Sequence, residues 1–245
     1  MSTRLEPMQA FQVQVYVPLE WAGMDVSITN TTLWMGVAAV LFVLTGMVSM
    51  QRAAVVPTRM QLLFEELYLF VRRLTLLNIH GSGERYVPLT FALFCFILCC
   101  NLVGLVPGAF TPTSQIVVTA SLAIGVFLYS VGLRVYLHGM GFFYAFVPPG
   151  TPKLLLPLMV PIEVLSFLAR PVSLAVRLFA NMTAGHTVLG AIAFFGFVAP
   201  WFVVWIPAGL SVVMLVAEVL ISVIQAYIFT VLSCVYIDDA VNAHA

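Results

Sequence analysis

Long apolar runs, separated by shorter polar segments, cover most of the chain. A helix needs about 20 apolar residues to cross a hydrocarbon core of ~30 Å. Residues 31–50 form the first such run, with Asn30 or Thr31 as its expected N-cap, and residues 86–138 hold two further spanning helices. Residues 1–30 are mixed in polarity and are predicted to form a surface arm.

Residues 57–78 follow a different pattern, because charged side chains interrupt the apolar ones. Arg59, Glu65 and Arg72 lie among leucine and phenylalanine residues. This pattern is typical of an amphipathic helix that lies at the membrane interface or against a partner, rather than of a spanning helix. An ordinary amphipathic connector fits the same pattern equally well.

The last two apolar segments, residues 153–199 and 201–237, are too long for a simple membrane crossing. A 40-residue helix is about 60 Å long, roughly twice the thickness of the hydrocarbon core. Each segment therefore either folds back as a hairpin or lies steeply tilted in the membrane, and the pattern alone does not choose. The sequence contains no internal repeat, and we expect residues 1–245 to form a single membrane domain.

The amino-acid composition excludes a soluble domain and gives no support for a nucleic-acid-binding protein. The chain is 62% hydrophobic and 8% charged, against roughly 25% charged residues in soluble domains, which indicates an integral, multi-pass membrane protein. Its net charge of zero gives no electrostatic support for nucleic-acid binding. The four cysteines lie in apolar runs without a ligand pattern, and neither a metal nor another cofactor is predicted.

Four charged side chains interrupt the last two apolar segments. A charge at the centre of a membrane helix costs about 2.5–3.5 kcal/mol on insertion scales, so it faces protein or water. Charges in this position mark an ion or proton path. Static interhelical Arg–Glu pairs that hold the helices together are the alternative. The four residues are Glu163, Arg170, Arg177 and Glu218.

Helical geometry arranges the polar residues of these segments in two stripes. At 100° per residue, Asn181 shares a face with Arg177, and small side chains surround them. Small residues let another helix approach closely in a membrane. On the last helix, Glu218 and Gln225 recur at an interval of seven, whereas His186 points away from Arg177. The two stripes predict a proton path between these helices and an apolar partner.

Three stretches carry a resemblance to a known family: NLVGLVPGAFTPTSQ from Asn101, RPVSLAVRLFANMTAGH from Arg170 and AEVLISVIQAYIFTVLSCVYIDDAV from Ala217. Their combination of Arg-Leu-x-x-Asn in an apolar helix with a following Gly-His and a later Glu-x6-Gln-Ala-Tyr is highly specific. Over nearly its whole length, the chain resembles subunit a of F-type ATP synthases, of the mitochondrial or alphaproteobacterial type.

The resemblance implies a role for each of the polar residues. Arg177 matches the family's essential arginine, which faces a carboxyl group on the ring of c-subunits. Glu163 matches an acidic position near the exit half-channel, and Arg170 is left open between a role in proton transfer and a simple pair with Glu163. The last two helices are expected to be steeply tilted around the ring. The residues placed on the proton-uptake path are Asn181, His186, Glu218 and Gln225.

The function that the resemblance implies is that of a proton-conducting stator subunit in the membrane motor of ATP synthase. Its expected partners are the c-ring, the peripheral stalk, other membrane subunits of the motor, membrane lipid and protons. The chain itself is not expected to be an enzyme, since ATP chemistry belongs to other chains and the sequence has no glycine-rich phosphate loop. The expected location is the mitochondrial inner membrane, with a bacterial inner membrane as the alternative.

A stand-alone secondary transporter or channel is the competing function. It predicts internal repeats and a midplane site built within one chain, and the sequence shows neither feature. A membrane scaffold whose intramembrane charges all pair statically is a third hypothesis.

Overall fold

Helices make up most of the computed structural model, which describes residues 15–18, 20–21, 24–25, 27–51, 57–106, 109–139, 156–198, 200 and 202–242. Within these residues, six α-helices follow four strands of two or three residues each. The prediction of an all-α membrane protein with about six helices is confirmed. The strands β1–β4 are Val15–Val17, Glu20–Trp21, Met24–Asp25 and Ile28–Thr29, and the helices α1–α6 are Asn30–Met50, Arg59–Asn78, Val87–Gly104, Ile116–His138, Leu156–Val198 and Trp205–Val241.

The described part of the arm that precedes α1 forms two short antiparallel pairs, β1 with β4 and β2 with β3. The rest of the predicted surface arm lies outside the described residues. Helix α1 begins at Asn30, because Thr29 is extended and its hydroxyl accepts the N–H of Thr32 at 3.4 Å. The N-cap is therefore Thr29, and the expectation of Asn30 or Thr31 was wrong by one or two residues.

Helix α2 has the amphipathic character that its sequence pattern predicted. Its hydroxyl cap is Thr58, which accepts the N–H of Gln61 at 3.4 Å. One face packs on α3 and α6, and the hydroxyl of its Thr75 lies 2.8 Å from that of Thr90 on α3. The opposite face exposes apolar side chains such as Leu77. Of the six described helices, α2 alone is not long and apolar enough to cross a membrane, and its placement at the interface stays a prediction.

The last two helices, α5 and α6, are continuous over 43 and 37 residues. Their lengths correspond to about 64 and 56 Å, so the hairpin alternative is excluded within residues 156–198 and 205–241. Helix α6 continues four residues beyond the expected end at Ile237, which brings two aspartates into its last turns. The start of the predicted segment, including Lys153, lies outside the described residues, and the steep tilt of both helices stays a prediction.

The buried core lies where α3, α4, α5 and α6 meet. Leu174 and Leu178 of α5 are 2% and 1% exposed, and Phe229 of α6 is 1% exposed. Burial of the two leucines fixes the rotation of α5 about its axis, and Val176 and Arg177 between them are exposed. The outer faces of α5 and α6 expose apolar side chains such as Val172 and Leu220.

Candidate functional site

The predicted stripe around Arg177 lies on the outward face of α5. Its small residues Ser173, Ala180 and Ala184 are exposed together with Arg177. The neighbouring Leu178 is buried in the core, so the arginine side chain cannot turn inward without disrupting that packing. None of the ion pairs found among the described residues includes Arg177. The guanidinium is therefore available to a partner that approaches over small side chains.

Glu218 lies where α6 crosses α5. The residue is 5% exposed, and its side chain lies against the backbone of Gly185. A Cβ atom at position 185 would stand 2.5 Å from Glu218 Oε1, so a glycine at this position makes room for the carboxyl group. Because His186 follows Gly185 directly, Glu218 lies within one residue of His186 along α5.

Polar atoms around Glu218 are buried without a partner in the part of the chain that the structure describes. They include both carboxyl oxygens of Glu218 and the hydroxyl of Ser222, one turn further along α6. The amide nitrogen of Asn181 is also buried without a partner. Asn181 lies on α5, one turn before Gly185. Buried polar atoms are normally satisfied by protein or by water, so these atoms are candidates for bound water.

The connection between α3 and α4 closes this polar region from a third side. Thr113 donates a hydrogen bond of 2.8 Å to Asn101, whose own amide is 3.5 Å from the carbonyl of Ser222 on α6. Thr111 Oγ1 lies 2.8 Å from His186 Nε2. These contacts join residues 75 and 121 positions apart. The sequence pattern did not single out these residues, because they fall in or beside a stretch rich in glycine and proline without helical periodicity.

An ion pair also joins α5 and α6, on the other side of Arg177 from Glu218. Arg170 donates a hydrogen bond of 2.5 Å to Asp239 on α6, and its guanidinium lies 6.0 Å from the ring centre of Tyr236. The alternative that Arg170 pairs with Glu163 was therefore wrong. The apolar run ends at Ile237 and gives no signal for Asp239, which an additional helical turn places opposite Arg170.

Two further predicted site residues stay outside these groups. Glu163 is half-buried and forms no ion pair with any described residue. Gln225 of α6 is also half-buried, two helical turns beyond Glu218. Among the described residues, no three His, Cys, Asp or Glu side chains come together in a way that could hold a metal ion.

The contacts of Arg170 with Asp239 and of Gly185 with Glu218 show that α5 and α6 run antiparallel. Arg177 lies between them, about 10 Å along the helix from Arg170 and about 12 Å from Gly185. The fold and these polar groups define a class: a multi-pass helical membrane protein with ionisable side chains inside its spanning helices, which is typical of proteins that move ions or protons.

Comparison with known proteins agrees with this class and narrows it. Residues 31–238 match the family model described as ATP synthase A chain. The chain is 51% identical to the ATP synthase subunit a of Magnetococcus marinus, an alphaproteobacterium, over 98% of this chain and 95% of that protein. The chain belongs to the ATP synthase A chain family. It is thus a non-catalytic membrane subunit of a rotary ATP synthase.

The contact of Glu218 with Gly185 yields a first prediction. Gly185→Ala should lower the free energy of unfolding by about 1–3 kcal/mol, because the added methyl group overlaps the carboxyl group. In a Glu218→Ala background the same substitution should cost much less, since the overlapping atoms are gone. Thermal unfolding of the four variants in detergent measures both effects.

Gly209→Ala is the matched control for this cycle, because no atom lies within 4 Å of a Cβ at that position of α6. It should leave the unfolding temperature nearly unchanged. An equal cost of Gly185→Ala in both backgrounds would show that the carboxyl group does not lie against Gly185.

Proposed function

We propose that this chain is the proton-conducting stator subunit of the membrane motor of ATP synthase. In this proposal, two offset half-channels meet at the outward face of α5. Arg177 faces the carboxyl groups of a rotating c-ring, and the ring, the peripheral stalk and other membrane subunits of the motor are the partners. Family membership and the placement of Arg177 between two polar groups, with its side chain exposed, support it.

The region of His186 and Glu218 is the proposed proton-uptake path. Glu218 is buried at the helix crossing, and Asn181 and Ser222 contribute polar atoms without a protein partner in the described structure. An imidazole suits this position because its proton affinity lets it both take and give a proton near neutral pH. Gln225 extends the same polar face of α6 towards the level of Arg177.

The region of Glu163 and Arg170 is the proposed exit path. The ion pair of Arg170 with Asp239 places charged groups from both long helices on the far side of Arg177. Glu163 lies a further two turns along α5, about 21 Å from Arg177. The uptake and exit groups are thus separated along the helix. Two half-channels require this separation, because they must not join.

The central step follows from the charge of Arg177. A ring carboxyl group is neutral while it faces lipid, because a bare carboxylate there is too costly. A guanidinium keeps its proton in proteins, so its approach favours the ionised carboxylate, which releases its proton towards the exit path. After passing Arg177, the carboxylate takes a proton from the uptake path. A proton that crosses 100 mV supplies about 2.3 kcal/mol, which turns the ring.

The membrane that holds the complex is an energy-coupling membrane. Five apolar helices make the chain a multi-pass membrane protein. We propose the mitochondrial inner membrane or the bacterial inner membrane as its location, and the bacterial origin of the similar protein favours the second.

Removing the charge of Arg177 tests the central step. Arg177→Ala should abolish proton-driven ATP synthesis while the chain still assembles, because no permanent charge then meets the ring carboxylates. Arg177→Lys should also fail largely, since an ammonium group is shorter and loses its proton more easily. ATP synthesis in energised membrane vesicles is the measurement. The control is Arg73→Ala, which removes an exposed cation of α2, and retention of more than a small fraction of synthesis by Arg177→Ala would contradict the proposal.

The exit path is tested at Glu163. Glu163→Gln should slow proton conduction without uncoupling it from synthesis, because the group lies far from Arg177 along the helix. Parallel measurements of proton flux and ATP synthesis in vesicles separate the two effects. An unchanged proton flux in Glu163→Gln would contradict a role of Glu163 in the exit path.

A double-mutant cycle tests the uptake path. Removing either His186 or Glu218 should slow synthesis and change its pH dependence. The exchange His186→Glu with Glu218→His should recover part of the activity lost by each single exchange, because the pair still offers an imidazole and a carboxyl group side by side. Strict additivity of the two single effects on proton flux would contradict a shared path.

A further inference from the structure

The contact between Thr111 and His186 is buried and joins two separate parts of the chain. Thr111 lies in the connection between α3 and α4, directly before a 3₁₀ turn at Pro112–Ser114, and is 5% exposed. Its Oγ1 atom is 2.8 Å from His186 Nε2, a normal length for a hydrogen bond. The contact therefore fixes the orientation of the imidazole ring from outside α5.

The Thr111 hydroxyl has a second hydrogen-bond partner besides His186. Oγ1 donates to the carbonyl of Gly104 at 3.2 Å. Gly104 is the last residue of α3, and the last carbonyls of a helix lack partners within it, so this donor satisfies a group that needs one. A hydroxyl has a single proton and two acceptor lone pairs. When its proton goes to the Gly104 carbonyl, the hydroxyl accepts from His186, and Nε2 is then the nitrogen that carries a proton.

The position of Thr111 is held by its neighbours on both sides. A Cβ atom at Gly104 would overlap the Thr111 side chain, so glycine at this position allows the close approach. The carbonyl of Thr111 accepts a hydrogen bond of 2.7 Å from the hydroxyl of Ser114. Thr111 thus cannot move away from His186 without breaking contacts at both ends of the connection.

We propose that Thr111 is a positioning residue that holds His186 in the tautomer with a proton on Nε2. The inference rests on the proposed role of His186 in proton uptake and adds the atom at which uptake occurs. The lone pair on Nδ1 takes a proton to form the imidazolium ion. Release from the same Nδ1 restores the starting tautomer, while Nε2–H stays bonded to Thr111 throughout. Glu218 of α6 lies against Gly185, the residue next to His186, and in this proposal it is the acid with which the ring exchanges protons.

A pair of substitutions at Thr111 tests the hydroxyl separately from the packing. Thr111→Val keeps the shape and removes the hydroxyl, and it should slow proton-driven synthesis by about twofold to tenfold, the equivalent of one hydrogen bond. Its pH profile should shift, because the imidazolium ion loses the acceptor of its Nε2 proton. Thr111→Ser keeps the hydroxyl and should retain the wild-type profile. Synthesis is measured in membrane vesicles across the pH range.

Thr119→Val is the matched control, because Thr119 is also buried but bonds only to the backbone of its own helix α4. It should leave the rate and the pH profile unchanged. A wild-type profile for Thr111→Val, or an equal loss in Thr111→Val and Thr111→Ser, would overturn the inference. If His186→Ala and Glu218→Ala also synthesise ATP at the wild-type rate, the proposed function of the site fails as well.

The tautomer itself can be observed without relying on activity. Nitrogen-15 resonances of the histidines in the labelled chain, within the assembled complex, distinguish a protonated Nε2 from a protonated Nδ1, and His186→Gln identifies the signals of interest. We expect the Nε2–H form in the wild-type chain and a mixture in Thr111→Val. A wild-type His186 with its proton on Nδ1 would overturn the inference, whether or not the variants assemble.

Discussion

A permanent cation inside an apolar helix is the constraint on which the rest of this structure depends. Arg177 cannot lose its proton, and an unpaired charge in hydrocarbon is costly. The chain does not neutralise Arg177 with an acid of its own among the described residues. Instead, the buried leucines before and after it in the sequence, Leu174 and Leu178, turn the arginine outward, over small side chains. The fold thus leaves room for a partner that brings the opposite charge.

Separation along the helix axis is the second requirement, and the length of α5 provides it. A helix that crosses the membrane directly is about 30 Å long within the hydrocarbon core, and polar groups on both sides of a central arginine would then lie close to it. The 43 residues of α5 spread Glu163, Arg170, Arg177 and His186 over about 35 Å. The antiparallel α6 supplies Asp239 at one end and Glu218 at the other. Helix length is therefore part of the mechanism that we propose.

The positions of the spanning helices could be predicted from the sequence, because the thickness of the membrane sets the minimum length of an apolar run that crosses it. Arg177 stood out for a similar reason, since few charges interrupt an apolar run without a function. Contacts between distant segments could not be predicted in this way. Asp239 was missed because the helix end was placed four residues too early, and Thr111 because a glycine- and proline-rich connection carries no periodic signal. The hydrophobic pattern alone could not choose between a hairpin and a continuous helix; the family resemblance implied long continuous helices, and the structure shows them.

The most direct measurement is a structure of the chain together with its c-ring, at a resolution that shows side chains and ordered water. The account predicts a ring carboxyl group within about 4–6 Å of the Arg177 guanidinium, the range in which opposite charges favour the ionised form. It also predicts that water reaches Glu218 from one side of the membrane and Glu163 from the other, without a continuous file past Arg177. A ring that packs on another face of the chain, or two water files that open to the same side, would contradict it.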